Sequence, residues 1–531
     1  MTETNRIQTS YDIIIAGGGF SGAYCAKRLA KLIGNDAGKR IALIAEDNVL
    51  AFQPMLAEVV GASISPLDVV MPLREFCRGA NVLRGKITRV DLGKKTIELQ
   101  AGLFTPNAVL HFQHLVLALG SAVDVSRVPG MAEHGYILKD AWDAVRLRVG
   151  LIERIEEANM SFDPEVQKRL LTFVVVGGGY SGVETAGQIL DLLQEIKPLY
   201  YNLSDIPVRV VLVHSRDYLL PEIGEKLGKY AESKLRERGM EIRLNCRVTS
   251  VSARKAYLND NTQIETHMVL STVGNAPHPV VSGLCAEAGL ENFKGRVTTD
   301  SCLRVKGRED IWAIGDCAAV PLGDEPYCPP TAQFALRQGI QGAKNIFRVM
   351  KKEAPQPFQY KSQGQLAAIG HRNAVADIMG IHFSGFIAWF IWRTIYLSKL
   401  PGVQRKIRVM ASWTLDLFFA RDISIVRPES IEMIHDMHFE TGDVIFQNND
   451  PYQNFYIIKK GKVDYAGTPI DHETFGEGDI LGGPRFVKDN RWIGHAIPME
   501  PVTVTSVDRK VMQALFAAKD IARRFQPQPE K

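Results

Sequence analysis

The sequence predicts an α/β chain of two parallel-sheet units, followed by amphipathic helices and a small β-roll. Three observations carry this. A strand–glycine–helix pattern opens at Tyr11 and returns at Leu171. An aromatic stretch interleaved with Lys and Arg fills residues 385–420. From about Ile431 the pattern shortens to brief strands, with turn residues roughly every 8 to 12 positions.

Ile13-Ile14-Ile15-Ala16 is a short apolar run of the kind buried in a parallel sheet. It leads into Gly17-Gly18-Gly19-Phe20-Ser21-Gly22, with Gly17, Gly19 and Gly22 in G-x-G-x-x-G spacing. The first glycine permits a tight turn. The second lets backbone approach a pyrophosphate, and the third lets helix and strand pack closely. The helix expected from Ala23 to Leu32 aims free N–H groups and its positive end at the phosphates. A strand from Arg40 to Ala45 follows and delivers Glu46, placed to hold a ribose hydroxyl. This is a Rossmann-like dinucleotide unit.

The chain has 531 residues, so roughly three to four domains of about 150 residues are expected. A hydrophobic fraction of 46% supports a large core. The net charge of +4 argues against nucleic-acid binding through bulk charge. The cysteines (25, 77, 246, 285, 302, 317, 328) form no C-x-x-C pair, as expected of reduced thiols rather than a disulfide framework. Residues 1–10 are polar, with no signal-peptide core, and no run of about 20 apolar residues exists. Membrane contact is therefore expected along the surface.

Residues 82–120 read as a β-meander ending in the strand His114–Gly120. Residues 140–170 are helical and charged. The opening pattern then recurs: a strand Leu171–Val176, the loop Gly177-Gly178-Gly179-Tyr180-Ser181-Gly182, and a helix Val183–Leu193. Two such units imply two dinucleotides and electron transfer between them. The strand Val208–Val213 ends in His214-Ser215-Arg216 where an acid would favour NAD. Arg216 can accommodate a 2′-phosphate, so NADH and NADPH both stand as donors. The strand from Thr266 to Gly274 closes the second unit. Ile311–Ile314 is a strand that delivers Gly315-Asp316, a carboxylate able to accept from ribityl hydroxyls.

Together the two loops and Gly315-Asp316 resemble the two-dinucleotide-binding flavoprotein superfamily. Phe52-Gln53-Pro54-Met55, Gly182-Val183-Glu184, Pro330-Thr331-Ala332-Gln333 and the run Gly364–Asp377 resemble the type II NADH dehydrogenases within it, as do Ser384-Gly385-Phe386 and Ala388-Trp389. The match covers roughly residues 8–425. It implies a bound FAD, reduced by hydride from NADH or NADPH and oxidised by a membrane quinone without proton pumping; the alternatives are a soluble NAD(P)H-dependent flavin reductase with another acceptor, or a redox or nucleotide sensor signalling through the C-terminal roll. By position, Gly17, Gly19, Gly22, Glu46, Gly120, Gly315 and Asp316 would hold FAD, with Gly18, Phe20, Ser21, Ile87 and Ala118 beside them. Gly177, Gly179, Gly182 and Glu184 would face the nicotinamide nucleotide, with Tyr180, Ser181, His214, Arg216 and Gly274. Ala332 and Gln333 would edge the isoalloxazine near the quinone, and N–H groups at that helix start favour negative charge on the ring. Glu184, Gln333 and Arg337 are the candidate catalytic residues. Arg337 is a departure, standing where the family commonly has a second glutamine. A disulfide reductase would carry its redox cysteine pair after Glu46; none is present, which also disfavours sulfide:quinone chemistry.

Residues 385–397 are dense in aromatics, too short to span a bilayer, and contain Arg393. Lys399, Arg405, Lys406 and Arg408 cluster after them, and a second helix is expected at about Val409–Ala420. Tryptophan beside Lys and Arg is what an interfacial helix uses on anionic lipid. The alternative is two helices packed on the flavin domain or in a dimer interface.

Residues 430–520 resemble the cyclic-nucleotide-binding family, with strands expected at Phe439–Phe446, Phe455–Ile458, Gly461–Val463 and Gly476–Ile480. The family's ribose-reading Gly-Glu pair is here Gly482-Gly483, and Arg491 lies near its arginine. Cyclic nucleotide binding is therefore not expected. The expected divisions are 1–140 and 286–380 for FAD, 141–285 for NAD(P)H, 381–425 for membrane-docking helices, and 430–531 for the roll. A peripheral homodimer on the cytoplasmic face of the cell membrane is expected, with no metal and no nucleic acid.

Overall fold

The computed structural model describes residues 9–102, 105, 107–252, 254–323, 326–362, 364–425, 434–439, 441–450, 452–468, 471–509 and 511–512. They form two compact units, one within 9–99 and 109–425, the other within 100–108 and 434–512. Ile431 and Glu440, expected at the start of the roll, lie outside the described residues.

The first sheet starts with β1 (Ser10–Ala16), followed by helix α1 (Phe20–Ile33) and β2 (Ile41–Ala45). Every residue of β2 is buried, as expected of a strand covered on both faces. After the short helix α2 (Leu56–Val60) come β3 (Asn81–Arg84), β4 (Lys86–Asp91), β5 (Thr96–Gln100) and β6 (Ala108–Leu117). The strand order is β3-β2-β1-β6-β5-β4. Residues 81–84 thus correct the meander reading: they pair in parallel with β2 at the far edge, and only the rest of 82–120 forms the meander.

The second sheet takes β7 (Gly135–Ile137) and, beyond helix α3 (Ala141–Met160), β8 (Thr172–Val176). Helix α4 (Tyr180–Ile196) then leads to β9 (Arg209–Val213), β10 (Glu241–Arg243) and β11 (Met268–Ser271). Its order is β7-β11-β8-β9-β10, parallel throughout. The chain returns to the first sheet with β12 (Ile311–Ala313), parallel to β6, and helix α5 (Ala332–Met350). Helix α5 crosses α1 at Gly339, where a Cβ would stand 2.3 Å from the Ser21 carbonyl oxygen.

An antiparallel meander follows, β13 (Gln365–Gly370), β14 (Asn373–Ile378) and β15 (Ile381–Ser384). Two helices end the unit, α6 (Gly385–Lys399) and α7 (Val403–Leu415). Helix α7 starts six positions ahead of the expected Val409, so Arg405, Lys406 and Arg408 lie on the helix rather than before it. Gly402, with φ 86°, makes the tight turn between the helices. Arg405 Nε then donates to the Val70 carbonyl at 2.5 Å, which ties the first turn of α7 to the body of the unit.

The second unit packs two antiparallel sheets. One is β16 (Ile434–Phe439), β22 (Val502–Asp508), β17 (Asn454–Lys460) and β20 (Ile480–Leu481). The other is β19 (Asp471–Phe475), β18 (Val463–Thr468) and β21 (His495–Pro498). Phe446 stacks on Trp492 with ring centroids 3.7 Å apart at the centre of its core. The expected strand at 439–446 is instead β16 with a turn after it.

Candidate active site

The two glycine loops are built alike for one steric reason. Gly17 has φ 117° and Gly177 φ 116°. A Cβ on Gly22 would sit 1.9 Å from the Gly17 oxygen, and one on Gly182 1.8 Å from the Gly177 oxygen. A Cβ on Gly17 would meet the Ala118 oxygen at 2.2 Å. Helix and loop therefore close only without side chains. The outward faces are open: nothing lies within 4 Å of a Cβ built on Gly19, and only Glu222 Oε1, at 3.7 Å, within that range of one on Gly179. Both loops thus leave bare backbone and a helix N-terminus for a pyrophosphate.

Glu46 is exposed just past β2, with its side chain available for a ribose. Ile87 is buried in β4, and Gly120 (φ 69°) turns the chain after β6. Gly315, with φ 75°, has its N–H held by the buried Gln338 Oε1 at 2.7 Å. This fixes the turn that presents Asp316. Burial pushes the Asp316 carboxyl above its ordinary value, against the pull of Lys139 and Arg296 and a hydrogen bond with Ser121. Lys139 Nζ in turn donates to Ser121 Oγ at 2.9 Å. A half-buried carboxylate beside open backbone suits the hydroxyl groups of a ribityl chain. The residues present fit FAD at the first loop and a nicotinamide dinucleotide at the second.

On the second side, His214 faces the glycine loop rather than open solvent. Its ring is buried and packs on Gly178, whose N–H donates to His214 Nδ1 at 3.0 Å. Burial, then Arg216, lower its pKa, so it is a neutral brace for the glycine loop. Ser181 and Arg216 are exposed, and Arg216 has no side-chain partner among the described residues. Gly274, with φ 99°, bonds through its carbonyl to the Asp124 N–H at 2.6 Å.

Gln333 and Arg337 share one face of α5, but neither side chain is free. Tyr360 donates to Gln333 Oε1 at 2.8 Å, and Gln333 Nε2 donates to the Gly364 carbonyl at 3.2 Å. Arg337 lies over the Tyr360 ring at 4.0 Å and donates to the Gln333 carbonyl at 3.0 Å. Its charge also lowers the pKa of Lys399, after burial.

Glu184, on the first turns of α4, is buried. Its Oε1 accepts from the Ala368 N–H at 3.0 Å and from Trp392 Nε1 at 3.1 Å. Burial pushes its carboxyl up to about 8, although both donors favour the charged form. Tyr180 donates to Gln365 Oε1, so loop, helix and β13 are joined beside it. A line of aromatic rings, Phe20, Phe52, Tyr396 and Trp392, runs from the first loop to this carboxyl, with successive centroids 5.9, 6.3 and 4.7 Å apart. Trp392, Tyr396, Lys139, Ser121 and Gln338 were not singled out from sequence. Only the aromatic density of 385–397 hinted at any of them. All the cysteines are free thiols.

Comparison with known proteins follows the same lines. Residues 11–339 match the family described as pyridine nucleotide-disulphide oxidoreductase, 362–422 the NDH2 C-terminal domain, and 436–519 the cyclic nucleotide-binding domain. A type II NADH:quinone oxidoreductase of Mycobacterium tuberculosis is 32% identical over 428 residues, 77% of this chain and 88% of that one. An internal alternative NAD(P)H-ubiquinone oxidoreductase of Arabidopsis thaliana is 26% identical over 78% of this chain and 85% of that one. The structure of NDH2 from Plasmodium falciparum in complex with NADH shares the fold at a TM-score of 0.71 and 19% identity, covering 79% of this chain and all of that one.

Proposed function

The chain belongs to the type II NADH:quinone oxidoreductases, and from that premise we propose which of its residues do what. The enzyme oxidises a nicotinamide nucleotide and reduces a quinone, with FAD as its bound carrier. FAD bound there would supply the two-electron chemistry that links nicotinamide to quinone. The first loop and Asp316 hold and orient that carrier. The second loop, braced by His214, holds the donor. Gln333, kept in place by Tyr360 and Gly364, borders the quinone side, and the free N–H groups opening α5 favour negative charge there. Glu184 holds a proton near neutral pH and gives it to the quinone side.

The observation that carries this reading is the Glu184 carboxyl. It joins the nucleotide-loop helix to β13 and α6, and burial pushes it up to about 8. Steady-state oxidation of both nucleotides with a short-chain quinone tests it, since flavin reduction without quinone turnover would leave a sensor rather than an enzyme. Arg216 supports NADPH as a second donor.

The enzyme docks peripherally on a bilayer through α6, α7 and the turn after them. Phe386, Ile387 and Phe390 are 61, 62 and 61% exposed on the side of α6 opposite the buried Ala388 and Trp392. Val403, Ile407 and Met410 form an exposed stripe on α7, continued by Leu417, Phe418 and Phe419. Lys399, Lys406 and Arg408 among them match an anionic lipid surface, while Arg405 is turned inward to the Val70 carbonyl. No helix among the described residues is long and apolar enough to cross a membrane. The membrane face is the cytoplasmic one, and the assembly a homodimer. The second unit serves as a cap, a partner-binding module or a dimerisation element. Arg485 is paired with Glu473, and Arg491 donates to the Asn449 carbonyl, so both of these arginines are already engaged.

A further inference from the structure

Beneath α6 and α7 lies a cavity of about 470 Å³ with Glu58, Gln188, Arg393, Trp413, Asp416 and Arg421 in its wall. Glu58, from α2, is 4% exposed, and Trp413 Nε1 donates to its Oε2 at 3.1 Å. The arrangement repeats that at Glu184: one buried carboxyl, one indole donor from a C-terminal helix. We infer that Glu58 is the entry carboxyl of a two-carboxyl relay, carrying the proton consumed in quinone reduction from this cavity inward to Glu184. The inference rests on the quinone-reductase reading above.

The stoichiometry requires such a proton. NADH gives hydride, two electrons with one proton. The quinol formed holds two electrons and two protons. The balance is NADH + H⁺ + quinone → NAD⁺ + quinol, so one proton must come from water. The buried quinone side needs a way in for it.

The geometry orders the two carboxyls. Glu58 is in the cavity wall; Glu184 lies outside that wall, bonded to the N–H of Ala368, which itself lines the cavity. Helices α2 and α4 touch where Gly61 meets Gln188, with 2.5 Å from a Cβ on Gly61 to Gln188 Oε1. Arg421 clasps that contact, donating to the Gly61 carbonyl at 2.8 Å. The two carboxyls sense each other, since the charge of Glu58 raises the pKa of Glu184.

Two neighbouring acids are engaged by arginines. Asp191 pairs with Arg238 and Arg421, and Glu195 with Arg421. Glu58 has no such partner among the described residues. The groups facing it are Arg393 from α6, Trp413 and Asp416 from α7 and its end, Arg421 beyond, and Glu184 from α4. From α3, which also packs on α2, Arg148 is engaged by the Asp422 carbonyl at 2.5 Å. Burial outweighs the cations and pushes Glu58 up to about 7. Arg393 lies between the Trp389 and Trp413 rings, 4.0 and 4.4 Å from their centroids, and its buried Nε has no hydrogen-bond partner among the described residues. Asp416 Oδ2 is likewise buried and without a partner among those residues. Polar atoms of this kind in a roomy cavity call for water.

The test uses the full FAD-loaded chain and the variants Glu58→Gln and Glu58→Asp. NADH turnover is measured between pH 6 and 9 with a short-chain quinone and with ferricyanide, which takes electrons but no protons. Glu58→Gln is expected to lower the ratio of quinone to ferricyanide turnover by about tenfold or more, with loss of the wild-type pH profile. Glu58→Asp is expected to restore most of it. The infrared band of protonated carboxyl groups at pH 6 should lose intensity in Glu58→Gln. An unchanged ratio and pH profile overturns the relay. So does an equal fall with both acceptors, which means a structural role, or a carboxyl band that is unchanged. A wild-type chain that reduces ferricyanide but no quinone overturns the oxidoreductase reading itself, and the relay with it.

Discussion

Trp392 donates its indole N–H to Glu184 at 3.1 Å across 208 positions of sequence. The bond favours the charged carboxylate, while burial favours the neutral acid, and burial prevails. Replacing Trp392 by Phe removes the donor and keeps an aromatic ring. Quinone turnover is expected to fall as pH rises through the Glu184 pKa, and in Trp392→Phe it should hold to higher pH. The loss of the bond costs about 1–3 kcal/mol of stability. Urea unfolding and a pH–rate profile check both. An unmoved alkaline limb means that Glu184 is not the titrating group.

Two raised carboxyls also make stability depend on pH. Folded Glu58 and Glu184 bind protons up to about 7 and 8, whereas both titrate near 4.5 when unfolded. Between those values the folded chain holds more protons, so stability falls as pH rises. Their contribution is fully present below pH 4.5 and lost as pH passes about 8. Glu58→Gln should flatten this slope. Thermal melting at several pH values from 5 to 9 measures it.

Arg216 has an exposed, unpartnered guanidinium just past β9. A charge-assisted bond to a 2′-phosphate adds about 1.5–3 kcal/mol. Arg216→Ala should therefore lower kcat/KM for NADPH about tenfold or more and leave that for NADH unchanged. Equal kcat/KM for NADPH in both proteins refutes the 2′-phosphate role.

Gln338 satisfies the buried Gly315 N–H. Gln338→Leu keeps the volume but leaves that donor unpaired, at a cost of about 1–3 kcal/mol. The turn bearing Asp316 loosens, and FAD should be lost more readily on dilution, as read by flavin fluorescence.

On vesicles containing anionic lipid, the wild-type chain should float at low salt. The double variant Phe390→Asp, Phe418→Asp places charges on the exposed apolar face and should remain at the bottom of the gradient. Equal flotation of both proteins excludes this face as the docking surface.

What was legible in the sequence was local. The glycine loops are read from six consecutive positions because their sterics are local: Gly17 touches Gly22 and Gly177 touches Gly182. Strand and helix follow from short apolar runs such as Ile13–Ala16. What stayed hidden depends on distant partners. The Trp413–Glu58 bond spans 355 positions, and Gln338 meets Gly315 only when α5 packs on the first unit. His214 read as a nucleotide neighbour because it ends β9, and nothing in the local sequence signals that its ring turns back to brace Gly178. The start of α7 was misplaced because Gly402, not a polar cap, opens it.

One chain passes electrons from a nicotinamide nucleotide through FAD to a quinone. Anaerobic stopped-flow absorbance of the FAD-loaded chain tests it most directly. NADH should bleach the flavin, and a short-chain quinone mixed in afterwards should restore its absorbance within the time of one steady-state turnover. A flavin that NADH bleaches but quinone fails to reoxidise on that timescale would contradict the account.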